Sequence, residues 1–275
     1  MQKNSPIIAL VGTKSIRMKQ ILPALIEIGG KEALDDYMLN MAIEEELRNN
    51  SIVITPIEIR AERIQFLTMY NDISTPNFKK ILYEKGYGPN RERQLLWRNA
   101  ALRKLVAQDV KVTENSVKRM YEIIHGTSYP ARVIVTTTHT EATDIFAKLN
   151  RGDSFTKLAV ELSIDPSASR GGIVDSIPIA DPIWPAPIRE ALPKLNVGEF
   201  SSPIFIGDRW IIVQVTSAPV PSTVSFELVK DEMQTLARLA QERFLMEEIA
   251  ASLTKQQSIT YFNSAFEHAS RSYVD

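Results

Sequence analysis

The sequence predicts an α+β fold, in which N- and C-terminal segments form one helical domain and an inserted domain carries an antiparallel sheet flanked by helices. Apolar residues recur at helical spacing up to residue 125. The β-branched run Val133–Thr138 then indicates a strand. Helical spacing returns from Ser225 onward. Because a single terminal helix buries little by itself, we expect this last helix to pack back onto the N-terminal helices.

The N-terminal part is predicted to contain one short strand followed by six helices. The strand is 7–13, and the helices are 16–28, 31–49, 56–70, 78–85, 90–108 and 113–125, with a loop at 71–76. Gly29 and Gly30 are expected to separate the first two helices. Thr55, Pro56 and Glu58 form a helix-start signal, because threonine can cap, proline suits the first helical position and glutamate completes a capping box.

The remaining elements alternate between strand and helix before the long final helix. They are a strand at 133–138, helices at 141–149 and 155–162, a long loop at 163–189, a short helix at 188–195, a hairpin at 204–215, a helix at 225–253 and a last extended piece at 259–262. The predicted domains are therefore residues 1–128, 129–218 and 219–275, the last packing on the first.

Composition excludes several classes of function. The chain has 275 residues, with 32 Lys+Arg against 33 Asp+Glu, so its net charge of −1 predicts no nucleic-acid partner. It has no cysteine, which excludes disulfides, thiolate catalysis and cysteine zinc sites. No segment reaches the about 18–20 apolar residues that span a bilayer. The apolar run Ile7–Val11 is shorter than the about 7–15 residues of a signal-peptide core.

Few polar residues suggest covalent or metal chemistry. The three histidines, His125, His139 and His268, lie far apart in sequence and are expected on the surface or at helix caps, with no metal. Ser163 and Asp165 could suggest a nucleophile and its partner, but Asp-Pro is typical of a turn. Gly171 and Gly172 lack the Lys-Ser/Thr of a phosphate loop and indicate backbone freedom instead.

Methionine and aromatic residues of the N-terminal part allow two interpretations. They are Met38, Met41, Phe66, Met69 and Tyr70. At helical spacing such residues usually form a core. Alternatively, they line a cleft with adaptable side chains that accept unfolded chains. The sequence alone leaves both open.

Several phrases in 131–215 resemble a parvulin prolyl isomerase domain. They are Ala131–Val135, Gly152–Ala159, Leu162–Gly172, and Pro203 followed by Trp210–Val215. Asp109–Lys118 and Ser225–Glu232 resemble the helices that flank this domain in the SurA/PrsA-type parvulin foldases. The resemblance covers nearly the whole chain. It implies a SurA-like chaperone domain, an inserted parvulin-like domain and no cofactor.

Members of that family carry two histidines, an Asp or Cys beside them, and a Met/Phe floor. At the positions that match, this chain has Val133 and Trp210 for the histidines, Ile173 for the acid, and Trp184 and Ile188 for the floor. These five residues are the expected substrate-binding set, and we expect no catalytic residue among them. An apolar slot can still bind proline or aromatic side chains.

The resemblance therefore implies a chaperone or foldase that binds unfolded or proline-containing polypeptides, with reduced or lost isomerase catalysis. Two alternatives are an active isomerase that works mainly by desolvating the proline, and a non-catalytic docking module for one folded partner. The family usually works outside the cytoplasm, so export to the periplasm or cell envelope is expected, although this chain shows no signal peptide.

Overall fold

The computed structural model describes residues 5–69, 75–256 and 258–270, and the chain divides into two compact units. The helical unit combines Met1–Val110 with Gln241–Asp275. The sheet unit is Lys111–Ala240. The observed boundaries differ from the predicted ones at 128/129 and 218/219, because the helix before the sheet and half of the last long helix cluster with the sheet.

The elements follow one another in an order close to that expected. In the first part they are β1 (Ile7–Val11), β2 (Lys14–Arg17), α1 (Met18–Asn49), α2 (Pro56–Met69), α3 (Thr75–Glu84), α4 (Pro89–Val106) and α5 (Glu114–His125). In the second part they are β3 (Ser128–Tyr129), β4 (Ala131–Thr136), α6 (His139–Asn150), α7 (Phe155–Leu162), β5 (Ile177–Pro178), α8 (Ala186–Ala191), β6 (Ile204–Ile206), β7 (Arg209–Val215), α9 (Phe226–Lys255) and α10 (Ser264–Ser270).

The core of the helical unit joins both ends of the chain. Its fully buried members come from α1, α4 and the second half of α9, and they are Ala42, Ile43, Leu47, Ala101, Leu102, Val106, Met246 and Leu253. Because these side chains recur at helical spacing, each helix turns one apolar stripe inward. The fold class is thereby confirmed, with a helical unit made of N- and C-terminal segments and a sheet unit inserted between those segments in the sequence.

Helix α1 corrects one prediction. Gly29 and Gly30 do not break it, and Met18–Asn49 is continuous. Gly30 is buried, and a Cβ atom there would lie 3.3 Å from Cε1 of Phe266 in α10. The glycine therefore permits close packing of α10 on α1, which offsets its low helix propensity.

Helix α2 begins as the sequence predicts. Pro56 is its first residue, and the Thr55 N–H donates to Oε2 of Glu58 at 2.7 Å, while the Glu58 N–H donates to Oγ1 of Thr55 at 3.4 Å. The capping box is confirmed. The predicted loop at 71–76 falls mostly outside the described residues, and α3 starts at Thr75 rather than 78.

Three smaller features also differ from expectation. Lys14–Arg17 forms a second strand paired with β1, where a helix was predicted to begin. Residues 259–262 form no strand, and α10 follows them. None of the helices in the described ranges has an apolar stretch long enough to cross a lipid bilayer.

The sheet unit is built on three antiparallel strands in the order β4-β7-β6. Successive side chains of a strand point to opposite faces. One face packs on α6 and α7 through Ile134, Ile212 and Phe155. The opposite face packs on β5 and α8 and contains Val133 and Ile188, two of the five predicted binding residues.

Candidate functional site

The face of the sheet around Val133 is the candidate site, and it is defined by strand register. Val133 pairs directly with Val213 across β4 and β7. Opposite residues of an antiparallel pair share a face, so Val133 and Val213 point the same way. The face, called the Val133 face below, consists of Ala131, Val133, Val135, Ile177, Ile188, Leu192, Val213 and Val215.

The Val133 face is filled by its own side chains. Val133 is 4% exposed, Ile188 is 1% exposed and Val213 is fully buried. Ile188 reaches the face from α8, where Pro185 precedes the helix and fixes its start. These residues form a packed core rather than the slot predicted from the sequence.

Trp184 lies at the border of this face and is half-buried against it. Its carbonyl oxygen accepts a hydrogen bond from Nε of Arg189 at 2.8 Å, and Nη1 of Arg189 donates to the Ile179 carbonyl at 3.1 Å. One guanidinium thus ties the 179–184 loop to α8 beside the sheet. The structure brings Val133, Trp184 and Ile188 together at this face.

Trp210 does not join them. It pairs with Thr136 in the β4–β7 register, which places it on the α6 and α7 face of the sheet. Its ring centroid lies 4.3 Å from that of His139 and 5.0 Å from that of Phe205. Because side chains alternate along a strand, Trp210 and Val133 point to opposite faces of the sheet. Ile211, the next residue, packs on the Val133 face.

Ile173 also lies apart from Val133. It pairs with Arg132, so it lies on the side of β4 opposite Val133, and it is 43% exposed. Val174, the next residue, packs on the Val133 face instead.

Gly172 explains how this edge strand approaches β4. Its carbonyl oxygen accepts a hydrogen bond from the Val133 N–H at 2.8 Å. Its φ is +78°, and a Cβ atom would lie 2.4 Å from the Val133 carbonyl oxygen. Only glycine has the conformation and the space for this contact. The predicted backbone role of the Gly171-Gly172 pair is confirmed for Gly172.

Ser163 and Asp165 hold the turn beside β4. The Ser163 Oγ accepts hydrogen bonds from the N–H groups of Val135 at 3.0 Å and Asp165 at 3.3 Å. The Asp165 Oδ1 accepts from the N–H of Ser167 at 2.8 Å and from its Oγ at 2.5 Å. Both side chains satisfy backbone groups, which confirms the turn and leaves no nucleophile arrangement.

The described imidazoles lie away from the Val133 face. His139 begins α6 beside Trp210, and His125 ends α5 with its ring 5.6 Å from that of Tyr121. The side chain of His268 lies outside the described part. Within the described ranges, no group of three His, Asp or Glu residues is placed to hold a metal ion.

The predicted cleft residues of the helical unit are only partly described. Met38 and Phe66 are half-buried, whereas Met41 is 55% exposed and borders a cavity of about 360 Å³. The Met69 side chain and Tyr70 lie outside the described residues. Met41 thus fits the cleft interpretation.

No family model matches the chain, but curated relatives and solved structures do. It is 30% identical to the foldase protein PrsA of Geobacillus kaustophilus over 74% of this chain and 69% of that protein. It is 25% identical to the putative peptidyl-prolyl cis-trans isomerase YacD of Bacillus subtilis over 93% of this chain and 85% of that protein.

The crystal structure of the peptidylprolyl isomerase PrsA from Bacillus anthracis shares the fold, with a TM-score of 0.53 at 20% identity over 84% of this chain and all of that one. A chaperone SurA, from Alcanivorax borkumensis, is 26% identical over 80% of this chain and 57% of that protein. The chain therefore belongs to the PrsA/SurA-type parvulin foldase family.

Proposed function

We propose that the protein binds unfolded or partly folded polypeptides, including X-Pro segments, and has lost most of the family's prolyl isomerase catalysis. The observation that carries this proposal is the apolar packing of the Val133 face. Ile211 shares that face with Val133, so we assign it, rather than Trp210, to the position of the second histidine. Neither Val133 nor Ile211 has a polar side chain.

Catalysis of X-Pro isomerisation depends on stabilising a twisted amide. The uncatalysed barrier is about 18–20 kcal/mol, and the reaction takes tens to hundreds of seconds. Polar groups positioned at the carbonyl or the imide nitrogen lower that barrier. At the Val133 face the side chains of Val133, Ile188 and Ile211 can only exclude water. Desolvation alone is the remaining means of acceleration.

The filled core also limits where a proline can bind. Val133 and Ile188 are buried, so a ligand can reach only the border of the face. Trp184, which is half-buried there, offers an aromatic surface on which a proline ring can pack. We therefore assign proline binding to Trp184, with Val133 and Ile188 supporting it from below.

A protease-coupled assay on a chromogenic X-Pro peptide tests the loss of catalysis. We expect kcat/KM to lie at least about 100-fold below that of an active parvulin assayed in parallel, since positioned polar groups contribute about 10²–10⁴-fold to proton-transfer and electrostatic catalysis. A rate equal to the reference would show that desolvation suffices, and the active-isomerase alternative would then replace this proposal.

Suppression of aggregation tests the binding function. Several chemically unrelated, reduced and unfolded client proteins are diluted from denaturant with and without the full chain, and light scattering is followed. A chaperone protects most clients, because transiently exposed apolar segments are common to all of them. Protection of none would favour the alternative of a docking module for one folded partner.

Trp184→Ala provides the residue-level version of this test. We expect weaker binding of a proline-rich peptide and unchanged protection of proline-free clients. Phe205→Ala, which removes an exposed aromatic residue of the same unit, is the matched control. Equal loss in both variants contradicts the assignment of Trp184.

We also place the protein outside the cytoplasm, in the periplasm or envelope. Cell fractionation with a specific antibody checks this localisation.

A further inference from the structure

The β1–β2 hairpin of the helical unit is apolar on both of its faces. Among the described residues, the two strands pair with each other in a sheet of their own. Leu10 and Val11 are consecutive in β1, so their side chains point to opposite faces. They are 68% and 65% exposed. Strands of soluble proteins usually bury at least one apolar face, and this hairpin leaves both open to solvent.

Helix α1 adds two more exposed apolar residues shortly after the hairpin. Leu22 and Leu25 lie three positions apart, so they are neighbours on the helix surface. We define the hairpin patch as the six residues Ile7, Ile8, Leu10, Val11, Leu22 and Leu25, each of which is at least 41% exposed. Such a concentration of exposed apolar side chains marks an interaction site with a protein or a membrane.

Hydrogen bonds hold the base of the hairpin against the first turn of α1. The Met18 N–H donates to the Pro6 carbonyl oxygen at 3.0 Å, and Nη1 of Arg17 donates to the Ser5 carbonyl oxygen at 2.8 Å. The Lys19 N–H donates to Oγ of Ser5 at 2.9 Å. The hairpin therefore has a defined position on the helix, although its two faces are uncovered.

The charges that accompany the hairpin patch in the sequence are all positive. The charged residues up to position 26 are Lys3, Lys14, Arg17 and Lys19. Glu27 is the first acidic residue, whereas the whole chain has 32 Lys+Arg against 33 Asp+Glu. Lys14 and Lys19 are exposed. Lys14 pairs with Val11 across the turn, so this basic side chain shares a face with an exposed apolar one.

The combination of apolar and basic side chains fits the surface of an anionic membrane. Apolar groups enter the boundary between headgroups and acyl chains, and lysine side chains extend from there to the phosphates. A flat protein surface covers one face of a strand pair, whereas lipid surrounds both faces of a hairpin that enters with its turn first. The insertion is shallow, because hydrocarbon satisfies none of the free backbone groups at the strand edges.

We infer that the hairpin patch binds the surface of an anionic phospholipid bilayer, with Leu10 and Val11 at the acyl-chain boundary and Lys14 and Lys19 at the phosphates. The contact is peripheral and crosses no bilayer. It goes beyond the proposed client binding and does not depend on it, since it involves neither the Val133 face nor a client. Its effect is to hold the chain at a membrane surface.

Co-sedimentation of the full chain with vesicles tests the lipid chemistry. Vesicles with equal parts of phosphatidylglycerol and phosphatidylcholine are compared with vesicles of phosphatidylcholine alone. We expect the partition coefficient to be at least about tenfold larger on the anionic vesicles, and we expect about 1 M salt to remove this preference by screening. Equal binding to the two kinds of vesicle, or binding to neither, overturns the inference.

Lys14→Gln with Lys19→Gln tests the basic residues. Each lysine near an anionic surface contributes about fivefold to binding, so the double variant should partition about tenfold to thirtyfold less well. Lys79→Gln with Lys85→Gln is the matched control, because both residues are exposed and their loss changes the net charge equally. The control should stay within about twofold of the unaltered chain. Equal losses in the two double variants assign the effect to net charge and contradict the inference.

Leu10→Ser with Val11→Ser tests the apolar residues. Both side chains are exposed, so Tm should change little, and we expect binding to anionic vesicles to fall at least about tenfold. Ile57→Ser with Ile64→Ser is the control, since these residues are 69% and 66% exposed on α2. The same loss in both double variants contradicts the inference. Should the hairpin variant lower Tm, the lysine variants and the fluorescent label below decide.

A fluorescent label at the turn reports insertion directly. The chain has no cysteine, so Thr13→Cys can be labelled with nitrobenzoxadiazole at one position. Its emission should become stronger and shift to shorter wavelengths on anionic vesicles, because the probe leaves water. The same label at Ile57→Cys should not respond. An unchanged emission from position 13, on protein that sediments with the vesicles, places the contact elsewhere and overturns the inference.

Experiments without lipid test the other occupants of the hairpin patch. If Leu10→Ser with Val11→Ser halves the molar mass in sedimentation equilibrium and leaves vesicle binding unaltered, a second copy covers the patch. If it abolishes protection of clients from aggregation and leaves vesicle binding unaltered, a client polypeptide covers it. Either result overturns the inference. If the unaltered chain binds anionic vesicles as expected but protects no client, the proposed chaperone function fails and the membrane contact stands.

Discussion

The interiors of the two units differ in the kinds of side chain that they bury. In the helical unit, Arg103 lies between two buried carboxylates, with Nε donating to Glu62 at 2.5 Å and Nη1 donating to Glu242. Glu62 is 5% exposed and Glu242 is 6% exposed. In the sheet unit, the interior around Val133 and Ile188 is apolar throughout. Buried ion pairs thus specify contacts in the helical unit, whereas the Val133 face depends on the packing of apolar side chains.

Because of this difference, the stability of each unit should be sensitive to a different kind of substitution. A buried ion pair contributes little net stability, but breaking it leaves an uncompensated charge. Burial lowers the pKa of Arg103, yet hydrogen bonds and the charge of Glu62 outweigh that effect, so its pKa is raised and it stays charged. An apolar core loses only the contacts of the atoms removed and the cavity that they leave.

Arg103→Leu should give the largest effect. It leaves Glu62 and Glu242 buried without the guanidinium, and we expect a loss of about 3–5 kcal/mol in the free energy of unfolding. Urea unfolding followed by Trp97 fluorescence, in a background with phenylalanine at the other two tryptophans, measures it. Arg243→Leu is the control, because Arg243 is exposed in an i,i+4 pair with Glu247 and its loss should cost under about 0.5 kcal/mol. Similar losses in the free energy of unfolding for the two variants would contradict the proposed difference between the units.

Ile188→Ala should cost about 2–4 kcal/mol, since it removes a buried side chain from the Val133 face. Ile173→Ala, at a position 43% exposed on the other side of β4, should cost under about 1 kcal/mol. Urea unfolding followed by circular dichroism compares the two. Reversal of this order would mean that the register of the edge strand is wrong.

Gly172→Ala should cost about 2 kcal/mol, because the new Cβ atom meets the Val133 carbonyl oxygen at 2.4 Å and φ is +78°. Gly198→Ala separates the cost of the positive φ from the cost of the steric contact. Its φ is +89°, but nothing lies within 4 Å of the added Cβ atom. It should therefore cost only about 1 kcal/mol, measured by the shift in the urea midpoint. Equal losses of stability would show that the positive φ, rather than the steric contact, determines the cost of Gly172→Ala.

Glu58→Gln should give the smallest effect, and one that depends on pH. The hydrogen bond from Lys104, followed by those from Thr55, lowers the pKa of Glu58 from 4.5 to about 2. Its stabilisation is therefore present above pH 4.5 and is lost as the pH falls towards 2. The side chain is 35% exposed, so solvent screening limits the effect to under about 1 kcal/mol. The Tm difference between the two proteins should shrink over that window, and a constant difference would contradict the assignment.

The sequence predicted most elements because local signals were consistent. The Thr55-Pro56-Glu58 box fixed the start of α2, and the β-branched run placed β4 within two residues. The break at Gly29 and Gly30 was wrong, because tertiary packing against Phe266 overrides local propensity. That contact joins residues more than 200 positions apart, which no local pattern reveals.

The candidate site was predicted less well than the fold. Val133, Trp184 and Ile188 lie together, but Trp210 and Ile173 are each one residue away from the neighbour that faces Val133. Because a shift of one residue reverses the face, a motif match without strand register cannot choose between adjacent side chains.

The order in which the two units can fold during synthesis follows from the residues that each unit needs. The sheet unit is complete as soon as Ala240 has been made, whereas the helical unit needs residues from Gln241 onward. Until Glu242 is available, Arg103 lacks one of its two carboxylates. A ribosome-bound chain can thus finish its inserted unit first, while the helical unit stays open until Gln241 and the residues after it have been made.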